Sequence, residues 1–239
     1  MLETRFEPQK ISMYKNGLNL GNNGKIFVIG VYNIMFICSS HDITNLSNYI
    51  IKELEIDITN RLTNTSYPIN IENIIRDSFI KINELIRCNY YTEYNTLTSC
   101  TLCIIDDLTI YFGILGNIKG TILRKEHNSY HKIFETPLHT LENEDEKKRI
   151  LNMDINIHLL EENTISGGFG GMEISYLEKK PLIIKYNLKL NDIIILSLNS
   201  INLIESYTTN YYNYNKPRNT SLAKYLSNDN NDLILTCLI

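Results

Sequence analysis

The sequence lacks any long apolar run. None of its hydrophobic stretches approaches the roughly 20 residues needed to cross a bilayer as a helix, so no membrane span is expected. It also lacks a basic excess. Lysine and arginine total 23 against 27 aspartates and glutamates, for a formal net charge of −4. That balance argues against a broad cationic surface for nucleic acid. The five cysteines are an odd number without framework spacing, so a disulfide scaffold is not expected and a reducing, intracellular setting fits better. The opening MLETRFEPQK has no apolar core of the kind a secretory signal carries. A cytoplasmic or nuclear location is the expectation. Tryptophan is absent, whereas asparagine, isoleucine and tyrosine are abundant, which reads first as the codon bias of an AT-rich genome.

Several familiar chemical signatures are incomplete. Gly167–Gly171 (GGFGG) has neither the GxGxxG spacing nor the lysine of a phosphate-binding loop, and reads as a flexible loop. His127-x-x-x-His131 lacks the glutamate of a zinc-protease helix and falls in a polar turn region. His41, His139 and His158 show no evident partner. Cys100-x-x-Cys103 has no second pair. Three residues along a strand also put the two thiols on opposite faces, so both read as buried structural cysteines. The tyrosines of Asn210–Asn219 could stack on bases beside Lys216 and Arg218, but a polar loop is the simpler reading.

What is present is enough apolar sequence for one well-buried domain: 43% of 239 residues. A single domain over 1–239 is expected, with residues 1–24 as a loosely ordered lead-in carrying at most one short edge strand. Lys25–Tyr32 predicts a core strand and Asn33–Ser40 an irregular segment. Asp42 or Thr44 can cap a helix bearing Leu46, Tyr49, Ile50 and Leu54, followed by a polar link over Asn60–Pro68. Asn70 can cap a second helix, whose Ile71, Ile74, Ile75, Phe79, Ile82, Leu85 and Ile86 make one apolar stripe.

From Leu97 the period changes to two. Ser99–Ile105, Thr109–Leu115 and Gly120–Arg124 predict a meander, with turns at Asp106-Asp107 and Gly116-Asn117. Glu142–Leu151 predicts a short charged helix, and Leu182–Tyr186 a strand. Ile193–Leu196 is a continuous apolar run of the kind buried on both faces. It gives way to cap and turn residues and then to a helix beginning near Ile201. Ser221–Leu226 predicts a further helix, and Asp232–Ile239 closes the chain as a core strand. Helices gather near the front and antiparallel strands fill the rest, which favours an α+β fold.

Taken in order, these segments resemble the protein phosphatase 2C family of metal-dependent serine/threonine phosphatases, from about Lys25 to the end. FVIGVYNIM stands where the family carries a strand ending in VFDGHGG. TSCTLCII followed by IYFGILGNIKGTIL stands for GSTA and then LYVANVGDSRAVL. SGGFGG stands for SRAFGD, IIILSLNSINL for LILASDGLWD, and NNDLILTCLI for the strand opening at DNIT. The resemblance implies two stacked antiparallel sheets with paired helices outside each one.

In that family, aspartates at the strand ends hold two magnesium or manganese ions that activate water. The resemblance places those positions on Asn33, Asn117, Gly171, Asn199 and Asn231 (or its neighbour Asn230), with Asp232 the one residual carboxylate. Arg5 and Lys15 are candidates for the phosphate-gripping arginine. Neutral amides do not offset the dehydration of hard divalent cations as carboxylates do. The expectation is therefore a pseudophosphatase with no metal, no cofactor and no catalytic residue. It would act on a protein partner: a kinase, a phosphatase or a phosphoprotein. The alternatives are a working phosphatase whose metal site is rebuilt from Asp42, Asp154 or Asp232, and an accessory subunit of a larger assembly.

Overall fold

The computed structural model describes residues 10–15, 18–19, 24–40, 46–66, 68–89, 97–157, 160–162, 164–171, 173–198 and 234–238. Its framework is two antiparallel sheets. In the first, β2 (Leu18–Asn19), β1 (Lys10–Lys15), β12 (Ile234–Leu238), β11 (Ile193–Ser197), β7 (Lys119–Glu126) and β8 (Ser129–Glu135) lie side by side in that order. In the second the order is β10 (Leu182–Asn187), β6 (Thr109–Leu115), β5 (Leu97–Asp106), β4 (Tyr32–Ser40) and β3 (Gly24–Ile29), and the two-residue β9 (Phe169–Gly170) also pairs with β5.

Alternate residues of each strand separate two cores. Met35, Ile37, Cys103, Ile105, Phe112 and Ile114 of the second sheet meet Ile122, Ile194 and Leu196 from the first, and Ile118 just before β7. On the other face of the second sheet, Ile34, Phe36, Leu102 and Ile104 pack under α1 (Leu46–Asn64) and α2 (Ile71–Asn89). Cys100 joins the helix-side core and Cys103 the inter-sheet core, the opposite-face placement that their spacing predicts. Burial, with Cys38 directly across the ladder, pushes the Cys100 thiol well above its ordinary pKa.

The α2 stripe is buried as expected except for Leu85, which is half-exposed. Asn70 caps the helix, its Oδ1 accepting from the Asn73 N–H at 3.0 Å. Asn70→Ala is expected to cost about 1 kcal/mol of stability, read as a shift of the urea midpoint at unchanged slope. α1 runs further than expected, through Asn64. The supposed polar link at Asn60 continues the helix because Ile58 and Leu62 bury and Asp57 ties down Arg61 at 2.6 Å and Lys81 of α2 at 2.6 Å.

Four expectations are revised. The core strand is β4, not the segment from Lys25. β3 is an edge strand with Val28 exposed, while Asn33–Cys38 is fully buried. The two join through a two-residue turn at Gly30-Val31. The lead-in contributes two strands, one of them inside its sheet. The meander holds only for β5 and β6; β7 crosses to the other sheet, so Gly116-Asn117 is a corner between layers and not a hairpin turn. Finally, the GGFGG segment is buried throughout and paired to β5, not a free loop.

α3 (Glu144–Leu151) is the expected charged helix, capped by Asn143. The helices predicted near Ile201 and at Ser221–Leu226, and the tyrosine-rich Asn210–Asn219, lie outside the described residues. So does His158. His127 takes a turn conformation while His131 sits in β8.

Candidate functional site

The end of β4, the start of β5, the end of β6 and the start of β7 converge at one edge of the sandwich. Ser39 of β4 lies opposite Ser99 of β5, and Ser40 opposite Thr98. Leu97 pairs with Gly170, which brings the GGFGG segment and Gly171 to the same edge. Lys119 of β7 lies opposite Ser197, the last residue of β11, and Ser197 opposite Ile234, the first of β12. Tyr14 of β1 also pairs with Ile234, so the chain position of Lys15 follows at this edge.

The polar groups here are mostly spent on one another. Ser40 Oγ and Thr98 Oγ1 are 2.7 Å apart. The Ser99 hydroxyl donates to Asn117 Oδ1 at 2.7 Å, and the Asn117 N–H donates back to Ser99 Oγ at 3.1 Å. That closed pair is possible because Gly116 adopts φ 108°, and a Cβ there would stand 2.2 Å from Ser99 Oγ. Lys119 carries a charge at this edge, and its Nζ is 3.3 Å from Glu135 Oε2.

Behind the corner lies a buried polar network. The backbone of His139 donates to Gly116 O at 3.0 Å, and the Gly116 N–H points at His139 Nδ1 at 3.4 Å. Nδ1 therefore accepts. Burial holds the His139 pKa below its ordinary value, against the pull of Glu146 and Glu178. Ser166 Oγ donates to Glu146 Oε2 at 2.6 Å. Arg149 Nη2 reaches Glu146 Oε2 at 2.8 Å, Ser166 O at 3.0 Å and Tyr176 O at 2.9 Å. Burial disfavours the charged Glu146, but these bonds outweigh it and leave its pKa lowered. Lys179 donates to Gly168 O and Gly170 O from the other side, and burial brings its pKa down to about 8.

The sequence-predicted positions divide. Asn117 and Gly171 are brought to the edge. Asn33 is not: it pairs with Ile105 and Val28, beside the Gly30-Val31 turn. Six residues of strand separate it from Ser39, about 20 Å. Ser39 and Ser40 are the β4 residues that reach this edge. Sequence reasoning passed over Ser39 and Ser40, although a signal existed: they follow the apolar run Ile34–Cys38 and precede the predicted helix cap at Asp42 or Thr44. Asn199, Asn231, Asp232 and Asp42 lie outside the described residues. Asp154 is exposed on the turn after α3.

The two metal ions implied by the resemblance do not fit the described part of this edge. Its donors are neutral hydroxyls and one amide, and those of Ser40, Thr98, Ser99 and Asn117 are bonded to one another. Among the described residues no group of three or more histidine, cysteine, aspartate or glutamate side chains is placed to hold a metal. Gly171 takes φ 56° with Leu177 Cδ2 only 2.9 Å from an ideal Cβ, so a carboxylate there would be strained.

Two stacked antiparallel sheets, with a helix pair outside one and strand tips meeting at an edge, define the α+β sandwich of the protein phosphatase 2C type. Solved structures similar to the chain agree. A C. elegans sex-determining protein superposes with a TM-score of 0.70 at 11% identity over 98% of this chain, which spans 65% of that protein's length. Serine-threonine phosphatase 2C from Toxoplasma gondii gives a TM-score of 0.67 at 12% identity, covering 95% of this chain and 93% of the other. A serine/threonine phosphatase from S. agalactiae gives 0.58 at 17% identity, covering 96% and 98%. At these identities the likeness establishes the fold. No protein-family model and no curated protein matches the sequence.

Proposed function

We propose that this chain is a pseudophosphatase: a protein phosphatase 2C-like domain that has given up metal-dependent hydrolysis and works by binding another protein. The observation that carries this reading is the closed Ser99–Asn117 pair at the corner between the sheets. In the resembled family a carboxylate stands at the Asn117 position. Here a neutral amide stands there, with its oxygen engaged by a neighbouring hydroxyl. The neutral Ser39 at the β4 end of this edge supports the same conclusion. A divalent cation would have to break these bonds, and would gain no negative charge to offset the loss of its water shell. Without a bound metal, water at this edge stays far from its ionisation range.

Calorimetric titration of the full chain with manganese, paired with turnover of a phosphoserine peptide, tests this. The expected outcome is no saturable metal binding at micromolar manganese and no turnover above buffer. Micromolar affinity, with turnover lost in Asp42→Ala or Asp232→Ala, would instead establish a working phosphatase with a rebuilt site.

A further inference from the structure

On the helix side of the second sheet, a cleft of about 310 Å³ opens between α2 and the segment before β10. It is lined by Ile80, Asn83, Glu84, Arg87, Lys179 and Lys180. Asn83 is only 8% exposed. Its Nδ2 donates to Lys179 O at 2.9 Å, but its Oδ1 is shut off from solvent with no donor among the described residues. The Asn83 bond to Lys179 O ties the segment carrying Lys179 and Lys180 to α2 and so fixes the shape of the cleft.

The charges point to the rest of the ligand. Arg87, Lys179 and Lys180 face one carboxylate in the lining, Glu84. Behind them, Glu178 Oε1 is taken by the backbone N–H groups of Lys179 and Lys180. The Lys179 ammonium is committed to the carbonyls of Gly168 and Gly170. Arg87 and Lys180 are exposed and remain as cations to meet an anion. Ile80 supplies an apolar wall.

We propose that this cleft binds a short acidic peptide segment of a partner protein. Its carboxylates would meet Arg87 and Lys180, and an apolar side chain would lie on Ile80. The site gives a chemical class to the protein partner proposed above. It does not depend on whether the strand tips hydrolyse anything, because the metal assay and the assay below report on different parts of the molecule.

The probe is a short peptide of alternating glutamate and leucine, with the lysine–leucine peptide as its counterpart, titrated into the isotope-labelled full chain. Amide shifts are expected to be saturable with the glutamate peptide, centred on Asn83, Glu84, Arg87, Lys179 and Lys180, and weakened by salt. Arg87→Glu combined with Lys180→Glu is expected to weaken binding about tenfold or more, and Asn83→Ala to weaken it as well. Lys148→Glu, on the exposed face of α3, should leave it unchanged. The charge variants lie on the surface, and an unchanged urea midpoint would show that they remain folded. No saturable shifts with the glutamate peptide, equal binding of the lysine peptide, or equal affinity in the double charge variant would each overturn the proposal.

Discussion

Replacing Arg124 by alanine is expected to lower the unfolding free energy by about 3–5 kcal/mol, the cost of leaving a buried charge without its partner. Asp192 is completely buried just before β11. Its two oxygens accept from Arg124 Nε at 2.8 Å and Nη2 at 2.8 Å, and Oδ2 also takes the Lys189 N–H at 2.8 Å. The hydrogen bonds to Asp192 raise the arginine's pKa further, so the guanidinium is charged at any accessible pH. Removing it leaves a fully buried carboxylate with only the Lys189 N–H, at the point where β11 enters the sheet beside β7. For a chain of this size the loss corresponds to a drop in Tm of roughly 6–20 °C. Arg124→Met with Asp192→Leu is expected to recover part of it, since a buried pair can be exchanged for well-packed apolar groups. A loss below about 1 kcal/mol for the single variant would place the pair with ordinary surface bridges and refute this account.

Arg149→Met is the second large effect, about 3 kcal/mol. It removes the bonds to Glu146 and to the carbonyls of Ser166 and Tyr176. These bonds hold the start of the segment that delivers Gly171 to the strand tips. The consequence has a pH signature. Folded Glu146 has a lowered pKa. Its contribution is therefore present above the unfolded value and is lost as the pH falls through the folded one. Folded His139 is also lowered. Below about 6.5 the unfolded chain takes up a proton that the folded one refuses, and stability again falls. Both groups make the native protein acid-sensitive, His139 first. With Arg149 gone the Glu146 pKa rises towards or past its unfolded value, so the less stable variant should lose less of its remaining stability on acidification than the native protein does. Urea unfolding across pH 4–8, with amide exchange followed at residues 166–171, reads both. An unchanged pH profile in the variant would show that Arg149 does not set the Glu146 charge.

Much of the fold was legible because much of it is locally encoded. The α2 stripe needs only helical spacing and the Asn70 cap. The run Ile193–Leu196 is apolar without alternation because both of its faces are covered. Cys100 and Cys103 had to fall in different cores once they lay three apart on one strand. The site was less legible. A protein phosphatase 2C-like pattern was recognisable from five segments in order, and neutral residues at its acidic positions could be seen without coordinates. Yet Asn33 lies at the end of β4 away from the candidate edge and Ser39 at the near end, because FVIGVYNIM spans a hairpin of β3 and β4 and not one strand.

By itself, the sequence determined the α+β class, the long helices, the strands β5, β6, β10 and β11, and the neutral character of Asn117. Only the tertiary structure decided which end of β4 reaches the candidate site. It alone showed that Gly116-Asn117 turns the chain from one sheet into the other, that β1 sits inside its sheet, and that the GGFGG segment is buried against β5. The physical reason is that strand alternation has the same period whatever the partner. Pairing is chosen by contacts between residues far apart in the chain: Ser39 with Ser99, Lys119 with Ser197, Tyr14 with Ile234. Such choices leave no mark in any local window.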